Sequence, residues 1–85
     1  MFSFHPLGTW QHTQNIWRDS QCPNIGILHK LDVDKCKSTC RAINGCTAIN
    51  YGPGGFCALR ACSRPIPTPE WIHDRYEGYY LKSGK

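Results

Sequence analysis

Asp32-Val-Asp-Lys-Cys36-Lys-Ser-Thr-Cys40-Arg-Ala-Ile-Asn-Gly-Cys46 is the stretch that decides the fold. Asp32 has the side chain of a helix N-cap, able to accept a first-turn backbone N–H, and Asp34 follows where the helix dipole favours negative charge. The pattern predicts a helix running from this cap through Ile43, with Asn44-Gly45 as its left-handed stop. Cys36 and Cys40 lie one turn apart and share a face with Val33 and Ile43. That face is the one to be buried.

The rest of the cysteine set follows from this helix. The chain has 85 residues and six cysteines, an even and high count. No C-x2-C pair occurs, and His5, His12, His29 and His73 stand at no zinc-site spacing from any cysteine. Structural disulfides are therefore favoured over a metal site, and no cofactor is expected. Parallel Cβ directions make a bridge between Cys36 and Cys40 poor geometry, so each must reach elsewhere. The short loop after the helix favours Cys40–Cys46. Cys57-Ala-Leu-Arg-Ala-Cys62 reads as a strand with Cys57 and Leu59 on one side and Cys62 on the other. Cys57 then meets Cys36 beneath the helix, and Cys62 is left for Cys22. Each bridge contributes about 2–4 kcal/mol, mainly by restricting the unfolded chain.

Further strands frame the helix. Gly8–Thr13 is a candidate first strand, and the opposite parity of Trp10 and Trp17 sends one into the core and leaves the other exposed. Thr47–Tyr51 reads as a half-buried strand with Ile49 and Tyr51 on one face. Gly52-Pro-Gly-Gly55 is a turn that joins it to the Cys57 strand as a hairpin. Tyr76–Leu81 reads as the closing strand, with Tyr79 and Leu81 on one face and Tyr80 on the other. The expected architecture is α+β: one helix packed on a small curved antiparallel sheet, stapled by three disulfides.

Composition narrows the function classes. Hydrophobic residues make up 40% and charged residues 19%, a globular composition sized for one domain. No apolar run approaches the roughly 20 residues of a membrane span, so membrane insertion is not expected. The net charge is +4, but the basic residues are scattered rather than striped, which argues against a nucleic-acid partner. Met1–Trp10 has neither the basic nor the apolar region of a secretory signal. The cysteines nonetheless call for an oxidising compartment, so the chain is expected to be an excised mature domain with Met1 added. No serine has a nucleophile-elbow context, and Asp32 and Asp34 are explained by the helix start. Catalysis is not expected.

Together, the run Leu31–Tyr51 with Cys36, Cys40 and Cys46, followed by Cys57-Ala-Leu59, resembles the PAN/apple domain superfamily. The signature is a helix bearing C-x3-C, a third cysteine, an aromatic-ended strand, and a fourth cysteine opening a Cys-x-Leu strand. Residues 25–83 carry this core, and residues 1–24 add an N-terminal strand and loop to a single domain spanning 1–85. The resemblance implies a helix on a curved antiparallel sheet, with the two helix cysteines paired to the two that follow. Cys22 and Cys62 lie well inside the chain, whereas apple domains proper join their termini, so a PAN-like variant is implied. It also implies an extracellular module that binds carbohydrate or protein within a larger secreted or cell-surface protein.

The candidate site is the Arg64–Arg75 loop. Pro65, Pro67 and Pro69 disfavour helix and ladder strand and stiffen an extended chain, which lowers the entropy lost on binding. Trp71, Arg64, His73, Arg75 and Tyr76 would supply an aromatic face beside guanidinium groups, a set suited to sugar stacking and hydrogen bonding. Alternatively, Trp71 anchors the loop on the sheet and the charges are solvated. Tyr76, Tyr79 and Tyr80 form a second stacking surface, or pack across strands. The expected partner is a glycan or an extracellular protein. Two other readings stand beside it: a self-associating element of an extracellular assembly, and a small toxin presenting Lys35, Lys37 and Arg41.

Overall fold

The computed structural model describes residues 9–63, 67–69, 71–72 and 75–82, with Trp71 described through its backbone. One helix, α1 (Val33–Ala42), packs on a five-stranded antiparallel sheet. The strands are β1 (Trp10–Thr13), β3 (Asn24–Leu28), β4 (Ala48–Gly52), β5 (Phe56–Arg60) and β7 (Glu77–Leu81), in the order β1-β7-β4-β5-β3. A separate two-stranded ladder joins β2 (Asn15–Ile16) to β6 (Trp71–Ile72).

The helix starts as its sequence requires. The Asp32 carboxylate accepts the Lys35 N–H at 2.7 Å, and Asp34 occupies the first turn. It ends one residue earlier than expected, at Ala42, because Ile43 already adopts an extended conformation. Ile43 consequently turns outward and does not join the buried face. The chain reverses over Ile43–Cys46, closed by the Cys46 N–H to the Ile43 carbonyl, with Gly45 at φ +93° in the third position. A side chain there would be strained, so glycine belongs to the turn rather than to the helix stop. This reversal brings Cys46 back to Cys40.

All six cysteines are paired: Cys22–Cys62, Cys36–Cys57 and Cys40–Cys46. They divide between two buried clusters, one on each face of the sheet. Beneath the helix, Cys36, Cys40, Cys46 and Cys57 pack with Ile49 and Leu59. On the opposite face, Cys22 and Cys62 pack with Trp17 and Ala48, and Tyr80 closes over them. β5 stops at Arg60, so Cys62 lies past the strand rather than within it.

β4 is therefore not half-buried. Ala48, Ile49 and Asn50 are all covered, since the helix occupies one face and the Trp17 segment the other. Likewise both early tryptophans pack. Trp17 is fully buried, and Trp10 is half-buried against the helix-side cluster, where its β1 position opposite Leu81 puts it.

Two sequence features admit the Trp17 segment. Asn50, 2% exposed, accepts the Trp17 N–H through Oδ1 at 3.4 Å and donates from Nδ2 to the Trp17 carbonyl at 3.1 Å. The amide thus satisfies both backbone groups of a residue that would otherwise be buried without partners. Gly78 leaves the room: a Cβ there would collide with the Asn15 carbonyl oxygen and the Trp17 ring. Asn50→Ala should lower the unfolding free energy by about 2 kcal/mol or more, because two buried backbone groups lose their partners. Gly78→Ala should cost about 1–3 kcal/mol through overpacking. Urea unfolding of the oxidised protein measures both, and unchanged midpoints would show that the segment is held otherwise.

Candidate functional site

Chain pleating sorts the sheet residues around β1 and β7 into two faces. Gln11 pairs with Tyr80 and Thr13 with Gly78, on the face away from the helix. Thr13 is fixed locally, its hydroxyl accepting the Asn15 N–H at 3.1 Å. Over this face runs the Pro67–Pro69 segment. The buried indole of Trp17 donates from Nε1 to the Pro67 carbonyl at 3.1 Å, and Gln21 donates from Nε2 to the Thr68 carbonyl at 3.2 Å. Both bonds engage the backbone, so the outer side of the segment remains presented.

Between the segment and β1 lies an open groove of about 300 Å³. Gln11, His12 and Thr13 form one wall, Pro67, Thr68 and Pro69 the other, and Tyr80 lies between. The Tyr80 ring is itself supported, meeting the Trp17 ring edge-on with centroids 6.0 Å apart. Here an aromatic surface, two pyrrolidine rings and a rim of amide and hydroxyl groups converge. Such a lining favours a ligand with an apolar face and polar edges.

The helix-side face of the same two strands carries charge. His12 and Tyr79 are cross-strand partners with ring centroids 4.8 Å apart. Glu77 receives the Tyr79 hydroxyl at 2.9 Å and lies 3.3 Å from His12 Nε2. Lys37, from the helix, places its ammonium 4.4 Å from the Tyr79 ring centroid. Burial, then the hydrogen bond and negative charge of Glu77, push the Tyr79 phenol from 10.0 up to about 12. Lys37 and Arg41 are both half-buried, so Lys35, Lys37 and Arg41 do not present one uniformly exposed basic face.

Of the loop residues expected to bind ligand, the described Arg75 and Tyr76 do not line this groove. Arg64 and His73 lie outside the described residues. Trp71 pairs through its backbone with Ile16, and Ile72 pairs with Asn15. The expected strand-free loop therefore contains a short ladder strand, which is allowed because the proline run ends at Pro69 and leaves later N–H groups available. Arg75 is exposed in a turn. Tyr76 packs edge-on against Phe56, centroids 5.3 Å apart, over Gly52 at the β4–β5 hairpin. The loop does contribute Pro67–Pro69 to the groove, and the tryptophan whose indole pins that segment is Trp17. Tyr80 was legible as a candidate through its parity, opposite to Tyr79 and Leu81. Gln11 and Thr68 carried no comparable signal.

Raising the Tyr79 pKa favours the neutral phenol in the folded state. Its contribution to stability is present below pH 10, declines as pH rises, and is lost once pH passes about 12. An ultraviolet titration should show one tyrosine ionising after the others, and Tyr79→Phe should remove that last step; a curve unaltered by the substitution would refute the assignment. Comparison of the chain with protein-family models, with curated proteins and with solved structures returns no match.

Proposed function

We propose that this chain is an extracellular recognition module of the PAN/apple type that binds carbohydrate. The observation that carries the binding reading is Tyr80, an aromatic surface held by Trp17 between a polar strand and a pinned prolyl segment. A pyranose ring presents an apolar C–H face and a hydroxyl rim, matching such a lining in shape and chemistry. The helix on its antiparallel sheet and the bridges Cys36–Cys57 and Cys40–Cys46 support the family reading. Three disulfides accord with an oxidising, extracellular setting. Among the described residues no helix is long and apolar enough to cross a membrane.

One observation favours a second reading, self-association within an extracellular assembly. The edge strand β3 exposes Ile25, Ile27 and Leu28, an apolar set of the kind that edge-to-edge contacts use. Light scattering across a concentration series would reveal it as a rising mass.

The carbohydrate reading is tested on a glycan array followed by calorimetry. Tyr80→Ala should weaken binding about tenfold, the loss expected when an aromatic stacking contact of about 1.4 kcal/mol is removed. Tyr80→Phe should retain most of it. Trp71→Ala separates the groove from the loop: binding lost in Trp71→Ala and kept in Tyr80→Ala would assign the sugar to Trp71, Arg64, His73, Arg75 and Tyr76 instead.

A further inference from the structure

The prolyl wall of the groove is tied to one short stretch of chain, residues 17–22. Trp17 donates from its indole to the Pro67 carbonyl at 3.1 Å, and Gln21 donates from Nε2 to the Thr68 carbonyl at 3.2 Å. These two ties differ in kind. Trp17 is fully buried with Cys22, Ala48 and Cys62, so a change there disturbs the whole layer. Gln21 is half-buried and is not among the residues that line the groove.

The backbone of Gln21 is set before its side chain acts. The Arg18 carbonyl accepts the N–H groups of Gln21 and Cys22 at 2.9 and 2.8 Å. Cys22 is in turn bonded to Cys62, and its carbonyl accepts from Arg60 at 3.3 Å. The side chain then has one favourable orientation: Oε1 accepts the Arg18 N–H at 3.3 Å while Nε2 faces the Thr68 carbonyl. Turning the amide over would set oxygen against that carbonyl and NH2 against that N–H, and both bonds would be lost. The position therefore demands a primary amide. A glutamate would keep the acceptor for Arg18 but would lack the donor for Thr68. Thr68 is exposed and lines the groove, so holding its carbonyl places that part of the wall before a ligand arrives.

We infer that Gln21 is a positioning residue of the groove: from outside it, the amide fixes Thr68 and thereby raises the affinity for a sugar stacked on Tyr80. The affinity half of this inference rests on the carbohydrate reading above; the ordering of Thr68 does not. The test uses the full oxidised chain, labelled with 15N and titrated with methyl glucoside, methyl galactoside and methyl mannoside. Gln21→Glu should lower the order parameter of the Thr68 amide from the rigid range of about 0.85 to below about 0.6. It should also weaken pyranoside binding about fivefold, the loss expected when one more backbone residue must be ordered at binding. Gln21→Met, which adds no charge, should have the same two effects. Neither should move the urea midpoint, because the bond to Thr68 is exposed. A merely structural role would do the reverse, shifting the midpoint and leaving Thr68 as rigid as before. A rigid Thr68 in both variants would overturn the inference, and so would a loosened Thr68 with unaltered affinity. Failure of the unaltered chain to bind any of the three pyranosides would overturn the carbohydrate reading and the affinity half with it, while the Thr68 order parameters would still decide the positioning half.

Discussion

A single side-chain amide holds the second face of this small sheet together. Asn50 occupies the middle of the central strand β4 and meets both backbone polar groups of Trp17. Without such a partner, burying the Trp17 backbone would strand an N–H and a carbonyl away from water, at a cost comparable to the gain from burying the indole. With it, the indole enters fully and its ring supports Tyr80 while its N–H reaches Pro67. Sheet, crossing segment and prolyl wall are therefore linked in series. The groove exists because this series closes.

The same logic explains the division of the disulfides. A five-stranded sheet in a chain of 85 residues has too little apolar material to build a deep core on both faces. Two bridges sit under the helix and the third beneath the Trp17 segment, so each thin layer has its own covalent tie. Arg60 reinforces the second layer, donating to the Asp19 carboxylate and to the Cys22 carbonyl.

Much of the helix side was legible from the sequence, because it is written in local signals. Asp32 as a cap, the one-turn spacing of Cys36 and Cys40, and the alternation of Cys57 with Leu59 all depend on neighbours in the chain. The three pairings followed from those signals. The opposite face was harder to read. Asn50, a polar residue inside a strand, looks like a solvent-facing position until a backbone segment 33 residues away is known to lie against it. Gly78 looks like a weak point in the closing strand, yet its missing side chain is what admits Asn15 and Trp17. The groove combines β1 with a segment that its partner Trp17 contacts across 50 positions, and no local pattern announces that pairing.

Among the described residues the indole that pins the prolyl wall is that of Trp17, and the reason is physical. An aromatic residue in a proline-rich loop draws attention as a displayed ligand contact, whereas a tryptophan in an N-terminal strand reads as ordinary core. Yet a displayed ring pays for its ordering at the moment of binding, and a ring fixed from behind does not. Here the buried indole of Trp17 orders both the Tyr80 surface and the Pro67 wall before any ligand arrives. The proposed recognition surface thus sits where Trp17 ties the helix-free face together. That placement lets a chain with a thin core hold a groove of about 300 Å³ between a strand and a prolyl wall.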